Sequence, residues 1–99
     1  MSTIASYTKD PHATLDYSID WSRWVPSGDS ISGTPAWSVS GPDASLAVAG
    51  SPAPSVASSV ATAWLTGGTA GQSYRVTCRV TTTAGRVDDR SITVRVAER

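Results

Sequence analysis

The ten residues Ser73-Tyr74-Arg75-Val76-Thr77-Cys78-Arg79-Val80-Thr81-Thr82 alternate without a break. Tyr74, Val76, Cys78 and Val80 fall on one side, and Arg75, Thr77, Arg79 and Thr81 on the other. A strict period of two is that of a β-strand with one buried and one solvated face. After the turn signal Ala84-Gly85-Arg86, the run Ser91–Val96 repeats the pattern with Ile92, Val94 and Val96 inward. Two such runs joined by a short loop predict an antiparallel hairpin.

Working back from that hairpin, Thr66-Gly67-Gly68-Thr69-Ala70-Gly71-Gln72 reads as a tight connection, because Gly takes the positive φ that such turns demand. Before it, Ser59–Leu65 forms a strand with Val60, Thr62 and Trp64 on one side and Ala61, Ala63 and Leu65 on the other. Its low polarity on both sides predicts a strand covered twice or lying at a contact between subunits. Leu15–Ser22 alternates as well, with Leu15, Tyr17, Ile19 and Trp21 inward. Ala36–Ser40 and Leu46–Ala49 are shorter strands between Gly and Pro clusters, and Ile31 begins a weak one. The first fourteen residues show no sustained period and contain the Asp10-Pro11 turn signal. They are expected to form an extended N-terminal arm, residues 1–14, leading into a domain of residues 15–99. Six or seven short strands at about ten-residue spacing, with no helical period, predict an all-β fold. The specific expectation is a single immunoglobulin-like or fibronectin-like antiparallel β-sandwich.

Composition agrees. Ten Val, four Ile, four Trp and three Tyr carry the apolar mass, while Phe is absent and Leu occurs three times. That is a strand vocabulary. Ninety-nine residues suffice for one core and no more. The formal net charge is zero, with eight basic and eight acidic residues, which argues against a free-standing nucleic-acid binder. The one cysteine excludes an internal disulfide framework. No stretch is apolar and long enough to span a bilayer as a helix. Met1-Ser2-Thr3-Ile4-Ala5 lacks the basic region and apolar block of a signal peptide, so synthesis in a cytoplasm is expected.

No catalytic constellation emerges. Cys78 lies in the inward register of the best strand, where a thiol packs as a small inert hydrophobe, and His12 has no partner nearby. Asp16 and Asp20 share a strand face about 13 Å apart, too far for a glycosidase carboxylate pair, which needs about 5–9.5 Å. Asp88-Asp89 read as turn residues. No calcium-loop or phosphate-loop spacing is present, so no metal and no cofactor are expected. Arg75 and Arg79 share the outward face of one strand and Arg95 that of its partner, with Arg86 and Arg90 nearby. The bland reading is an ordinary solvated face balanced by Asp88 and Asp89. The sharper one is a protein-docking face, since Arg is enriched at interfaces. Nucleic acid is disfavoured there because no aromatic side chain interleaves with the arginines. At least two of the four Trp are expected in the core, Trp21 among them, and one or two of Trp24, Trp37 and Trp64 are candidates for exposure.

Three segments carry a resemblance: Asp10-Pro11 with Leu15–Trp21, Ala63-Trp64-Leu65-Thr66-Gly67-Gly68-Thr69-Ala70-Gly71, and Gly85-Arg86-Val87-Asp88-Asp89-Arg90-Ser91-Ile92. In this order and spacing they resemble a family of small tailed-bacteriophage proteins, the phage fibre–tail adaptor proteins, from about Lys9 to the C-terminus. The resemblance implies a non-enzymatic virion structural protein, assembled in the host bacterial cytoplasm. It would act at the tail or neck by protein–protein contact with tail, neck, fibre or portal components. A symmetric homo-oligomer is expected, with neither nucleic acid nor membrane as partner. The candidate interface residues are Asp10 and Pro11 in the arm, Arg75, Arg79, Arg90 and Arg95 on the basic hairpin, and Trp64. A capsid decoration protein and a carbohydrate-binding β-sandwich, which would need a flat row of exposed aromatics, are the alternatives.

Overall fold

The computed structural model describes residues 3–98. Met1 and Ser2 of the expected arm, and Arg99 of the C-terminal basic cluster, lie outside the described residues. Those described form eight strands and no helix. In chain order they are β1 (Thr3–Lys9), β2 (Thr14–Asp20), β3 (Ala36–Ser40), β4 (Leu46–Val48), β5 (Ser55–Ala57), β6 (Val60–Gly67), β7 (Ser73–Thr81) and β8 (Val87–Val96). One sheet has the order β1-β8-β7-β3; the other has β2-β6-β4, with β5 also pairing β6. The sheets share a single core between them, built from Tyr17, Ile19, Trp21, Leu46, Ala61 and Leu65 on one side and Tyr74, Val76, Cys78, Val80, Ile92, Val94 and Val96 on the other. Full burial of each larger aliphatic side chain stabilises the fold by about 1.5–3 kcal/mol relative to exposure.

The inward register of β7 is as its sequence predicts: Tyr74, Val76, Cys78 and Val80 are buried, and β7 pairs antiparallel with β8 from Ser73↔Arg95 to Thr81↔Val87. β2 and β6 also keep their predicted faces, except that Leu15 stays exposed near the start of the edge strand β2. Ile31 makes only an isolated bridge to Thr82.

Two expectations are corrected. The segment read as an extended arm leading into the domain is, from Thr3 to Lys9, the edge strand β1 of the first sheet. It pairs with β8 in parallel, so the pairing is not antiparallel throughout. Two features hid it. The register shifts between Thr3 and Ala5, which breaks the alternation. The inward series then runs Ala5, Tyr7, Lys9, whose last and most buried member is a lysine. The path of the chain allows parallel pairing, since it leaves β1 for the other sheet and returns to β8 only at the end, with no tight hairpin to impose the antiparallel direction. The strand β5 was also illegible, because its hairpin to β6 turns on Ser58 and Ser59, both at positive φ (48° and 68°), where Gly or Asn would have signalled the turn.

Candidate functional site

The loops gather at two ends. At one, the β3–β4 and β6–β7 loops meet the ends of β1 and β8. The Asp43 carboxylate organises this end: Oδ1 accepts from the Ser45 N–H (3.0 Å), Ser45 Oγ (2.5 Å) and the Tyr74 hydroxyl (2.8 Å), and Oδ2 from Thr69 Oγ1 (2.9 Å). The Tyr74 oxygen in turn accepts the Thr69 N–H at 2.9 Å. These bonds, the Ser45 side-chain hydroxyl first, hold the Asp43 carboxyl well below its ordinary range. The approach is close enough that two positions admit only glycine. Gly67 (φ +82°) would drive a Cβ into the Ser45 carbonyl oxygen, and Gly68 (φ +99°) would place one 2.5 Å from Val96 Cγ2.

Lys9 completes this end. Its side chain is wholly buried, and its Nζ donates to the carbonyls of Asp10 and Gly67, each at 2.8 Å. The Gly67 bond ties β1 of the first sheet to β6 of the second. Burial lowers the Lys9 pKa, opposed by the nearby charge of Asp10.

At the other end, Asp29 in the β2–β3 loop caps the β7–β8 hairpin. Its Oδ1 accepts from Thr83 Oγ1 (2.8 Å), the Ser30 N–H (2.9 Å) and the Ala84 N–H (3.2 Å), while Oδ2 takes Arg86 Nη1 at 2.9 Å. Its carboxyl is also held well below the ordinary range, most by the Thr82 side chain. Beside it the Arg90 guanidinium lies 4.4 Å from the centre of the Trp21 ring and donates to the Asp20 carbonyl at 3.1 Å. Trp24 meets Trp21 edge-on at 5.2 Å.

Between these ends lie two outer faces of different character. Residues paired across strands project to the same side, so the registers fix each face. On the β1-β8-β7-β3 sheet the outer face carries Arg75, Arg79 and Arg95 against one acid, Asp89, among Ser and Thr side chains. Arg79 holds Asp89 through Nε (2.6 Å) and Nη2 (2.9 Å), a two-pronged pair. An open hollow of about 290 Å³ lies beside it, lined by Ala36, Trp37, Ser38, Thr77, Arg79 and Asp89. On the β2-β6-β4 sheet the outer face carries Asp16 and Asp20 and no basic residue, with Ser18, Thr62 and a half-buried Trp64 directly opposite Asp16. Counted over strand positions, the first face has a surplus of two positive charges and the second of two negative ones. Hydrogen bonds from Ser22 hold the Asp20 carboxyl below its ordinary range, and Arg23 and Arg90 lie close enough to help.

Nothing assembled among the described residues resembles a nucleophile or metal centre. The Cys78 thiol is fully buried, and burial pushes its pKa up to about 11, with the Trp21 side chain acting weakly the other way. His12 is exposed; its backbone N–H, at 2.8 Å, is bound by the Asp10 carboxylate. No three His, Cys, Asp or Glu side chains cluster as a metal site among the described residues.

The family described as podophage GP4 fiber-tail adaptor protein gp77 matches residues 9–95. The chain belongs to this family. No curated protein matches it. Membership in a fibre–tail adaptor family implies a structural role in the virion, in contact with other virion proteins such as tail fibres. The adaptor match begins at Lys9, the lysine that joins the two sheets, and so takes in both loop ends and all strands except the body of β1.

Within the adaptor, the seven residues singled out from sequence do not form one site. Arg75, Arg79 and Arg95 do share a face. Arg90 does not join them: it is half-buried at the inner register, spent on Trp21 and Asp20. Trp64 lies on the opposite sheet. Asp10 and Pro11 sit in the turn between β1 and β2, half-buried, with Asp10 bonded to Lys9, His12 and Ala13. Sequence reasoning missed Lys9, Asp29 and Asp43. Asp43-Ala44-Ser45 does carry a signal, the Asp whose side chain binds a backbone N–H two residues on. Lys9 has a fainter one, as the single lysine beside seven arginines.

Proposed function

We propose that this chain is a non-enzymatic structural protein of a tailed-phage virion, an adaptor that attaches tail fibres to the tail by protein–protein contact. The observation that carries the reading is the family match across residues 9–95. The structure supports it with a two-sheet body, stiffened at both ends by multiply bonded aspartates, that offers two broad polar faces. Rigid elements with polar, arginine-bearing surfaces suit docking between preformed partners. Arg75 and Arg95 are the proposed contact residues of the first face, with Arg79 held in place by Asp89. The turn at Asp10 and Pro11 is proposed as a further contact.

The finer architecture we propose is an immunoglobulin-like sandwich, with β1 as an integral edge strand of the domain. Tyr74, at the start of β7, hydrogen-bonds back to the backbone of Thr69, five residues upstream. That is the tyrosine-corner arrangement of such sandwiches. A sugar-binding platform has less support, since Trp64 is the one aromatic on the outer face of its sheet and no row of rings is formed.

The test is a phage in which this gene is silenced and supplied, or not, in trans. Electron microscopy of the particles should show tails without fibres when the chain is missing. Particles with a full fibre complement would sink the adaptor reading, and fibred particles with bare capsids would favour capsid decoration.

A further inference from the structure

We propose that copies of this chain bind one another front to back, the arginine face of the β1-β8-β7-β3 sheet docking on the aspartate face of the β2-β6-β4 sheet of the next copy. The inference goes beyond the adaptor reading and does not depend on it. Its basis is charge complementarity. One face carries Arg75, Arg79 and Arg95 against Asp89, and the other carries Asp16 and Asp20 with no basic residue at its strand positions. Arg23 and Arg90 reach Asp20 from outside the face, so Asp16 is its principal charge. The remaining strand positions on both are mostly Ser, Thr and Ala. Because the faces lie on opposite sides of a two-layer body, one contact leaves the complementary face of each copy open. The interface is therefore heterologous and propagates, into a ring where the rotation between copies closes and into an open filament where it does not. A two-fold arrangement would set arginine against arginine or aspartate against aspartate, which like-charge repulsion disfavours.

Trp64 is the anchor this geometry supplies. It stands half-buried in the aspartate face with Asp16 as its cross-strand neighbour. Partly exposed Trp flanked by polar groups is a frequent centre of binding energy. The molecule already contains such a contact within itself: Arg90 lies over Trp21 and donates to the Asp20 backbone. An arginine of the neighbouring copy, Arg75 or Arg95, would repeat that contact on Trp64 beside Asp16.

The aspartate face measures roughly 20 Å by 15 Å, from strand length and spacing. A single contact of that size falls short of the roughly 800 Å² per partner of a standard stable interface. Pairwise binding is thus weak, and assembly gains from every copy using both faces at once.

The test is sedimentation velocity on the full chain from about 10 to 500 µM, at about 20 mM and 500 mM salt. Wild type is expected to form species larger than a dimer at low salt, and fewer of them at high salt. Asp16→Arg and Arg95→Asp should each be monomeric over that range, with unchanged far-UV circular dichroism as the control on folding. Mixed one to one, the two variants should regain assembly, because their native faces pair with each other and their altered faces pair in the reversed sense. The double variant should regain assembly through the reversed pair. A wild type that stays monomeric throughout, a single variant that assembles like wild type, or a mixture no different from its components would overturn the proposal. A monomeric chain that still supports fibre attachment would leave the adaptor reading standing, and an assembling chain without effect on fibres would do the reverse.

Discussion

The two loop ends solve one problem with different chemistry. Each must hold a pair of loops against the edge of the core, and each does so with one aspartate that accepts at least four hydrogen bonds. Asp43 takes all of its bonds from neutral donors, and one donor, Tyr74, is itself a core residue. Asp29 takes one from a cation, Arg86, whose side chain is half exposed. The core residue at that end, Trp21, is engaged separately by Arg90. Asp43 therefore couples its loops directly to the hydrophobic core, while Asp29 ties a loop to a hairpin at the surface.

The harshest way to break this comparison is at the two aromatic residues. Trp21→Ala should cost about 3–5 kcal/mol, because it removes the largest fully buried side chain and the ring beneath Arg90. Urea unfolding followed by far-UV circular dichroism measures it; a loss below about 1 kcal/mol would mean that the site collapses around the cavity. Tyr74→Phe keeps the ring in the core and removes only the hydroxyl, yet should still cost about 1.5–3 kcal/mol, since the lost bond is to a carboxylate. In an Asp43→Asn background the same change should cost less. Equal losses in both backgrounds would show that Tyr74 and Asp43 do not act as a unit.

The contrast between the ends also explains what could be read from the sequence. The inward series of β7 and of β8 from Ile92 onward were legible because a buried face against a solvated one leaves a period of two. The three arginines on one face were legible for the same reason, since register alone places them together. Arg90 was misplaced because the alternation puts it inward, against expectation for a charge, and only the ring of Trp21 accounts for it. Asp29, Asp43 and Lys9 act through backbone and hydroxyl groups far along the chain, Thr83, Thr69 and Gly67, and such contacts leave no local period. The β1 strand was hidden by the same lysine, whose burial rests on two carbonyls and not on an apolar side chain. The opposed charge of the outer faces was spread over three strands, β2, β7 and β8, and became visible only when the sheet order was known.

Acid sharpens the comparison further. Both carboxyls have folded pKa values below the unfolded value of 3.8, so each contributes stability that is fully present above that value. The contribution is lost as the pH falls from there through the folded values. Unfolding free energy measured from pH 6 down to about pH 2 should therefore decline, and Asp43→Asn and Asp29→Asn should each flatten the decline. A wild-type profile flat across that range would contradict the bonding at both ends.

The smallest effect separates the ends by salt. Only the Asp29 end uses a cation on its carboxylate, and the Arg86 side chain is exposed enough for mobile ions to screen it. Raising the ionic strength should lower stability slightly in the wild type, and Arg86→Gln should remove the part of that response that arises here. The Asp29 side chain is only 5% exposed, so the pair is half-buried. The urea midpoint of Arg86→Gln at low salt should fall modestly below that of wild type, while the neutral donors still hold the carboxylate. The informative quantity is the slope against salt, compared with that of Tyr74→Phe. Tyr74→Phe disturbs only neutral donors and should retain the wild-type slope, however much its midpoint falls. Should Tyr74→Phe change the slope and Arg86→Gln leave it alone, the division of labour between the two aspartates would be the reverse of what their partners indicate.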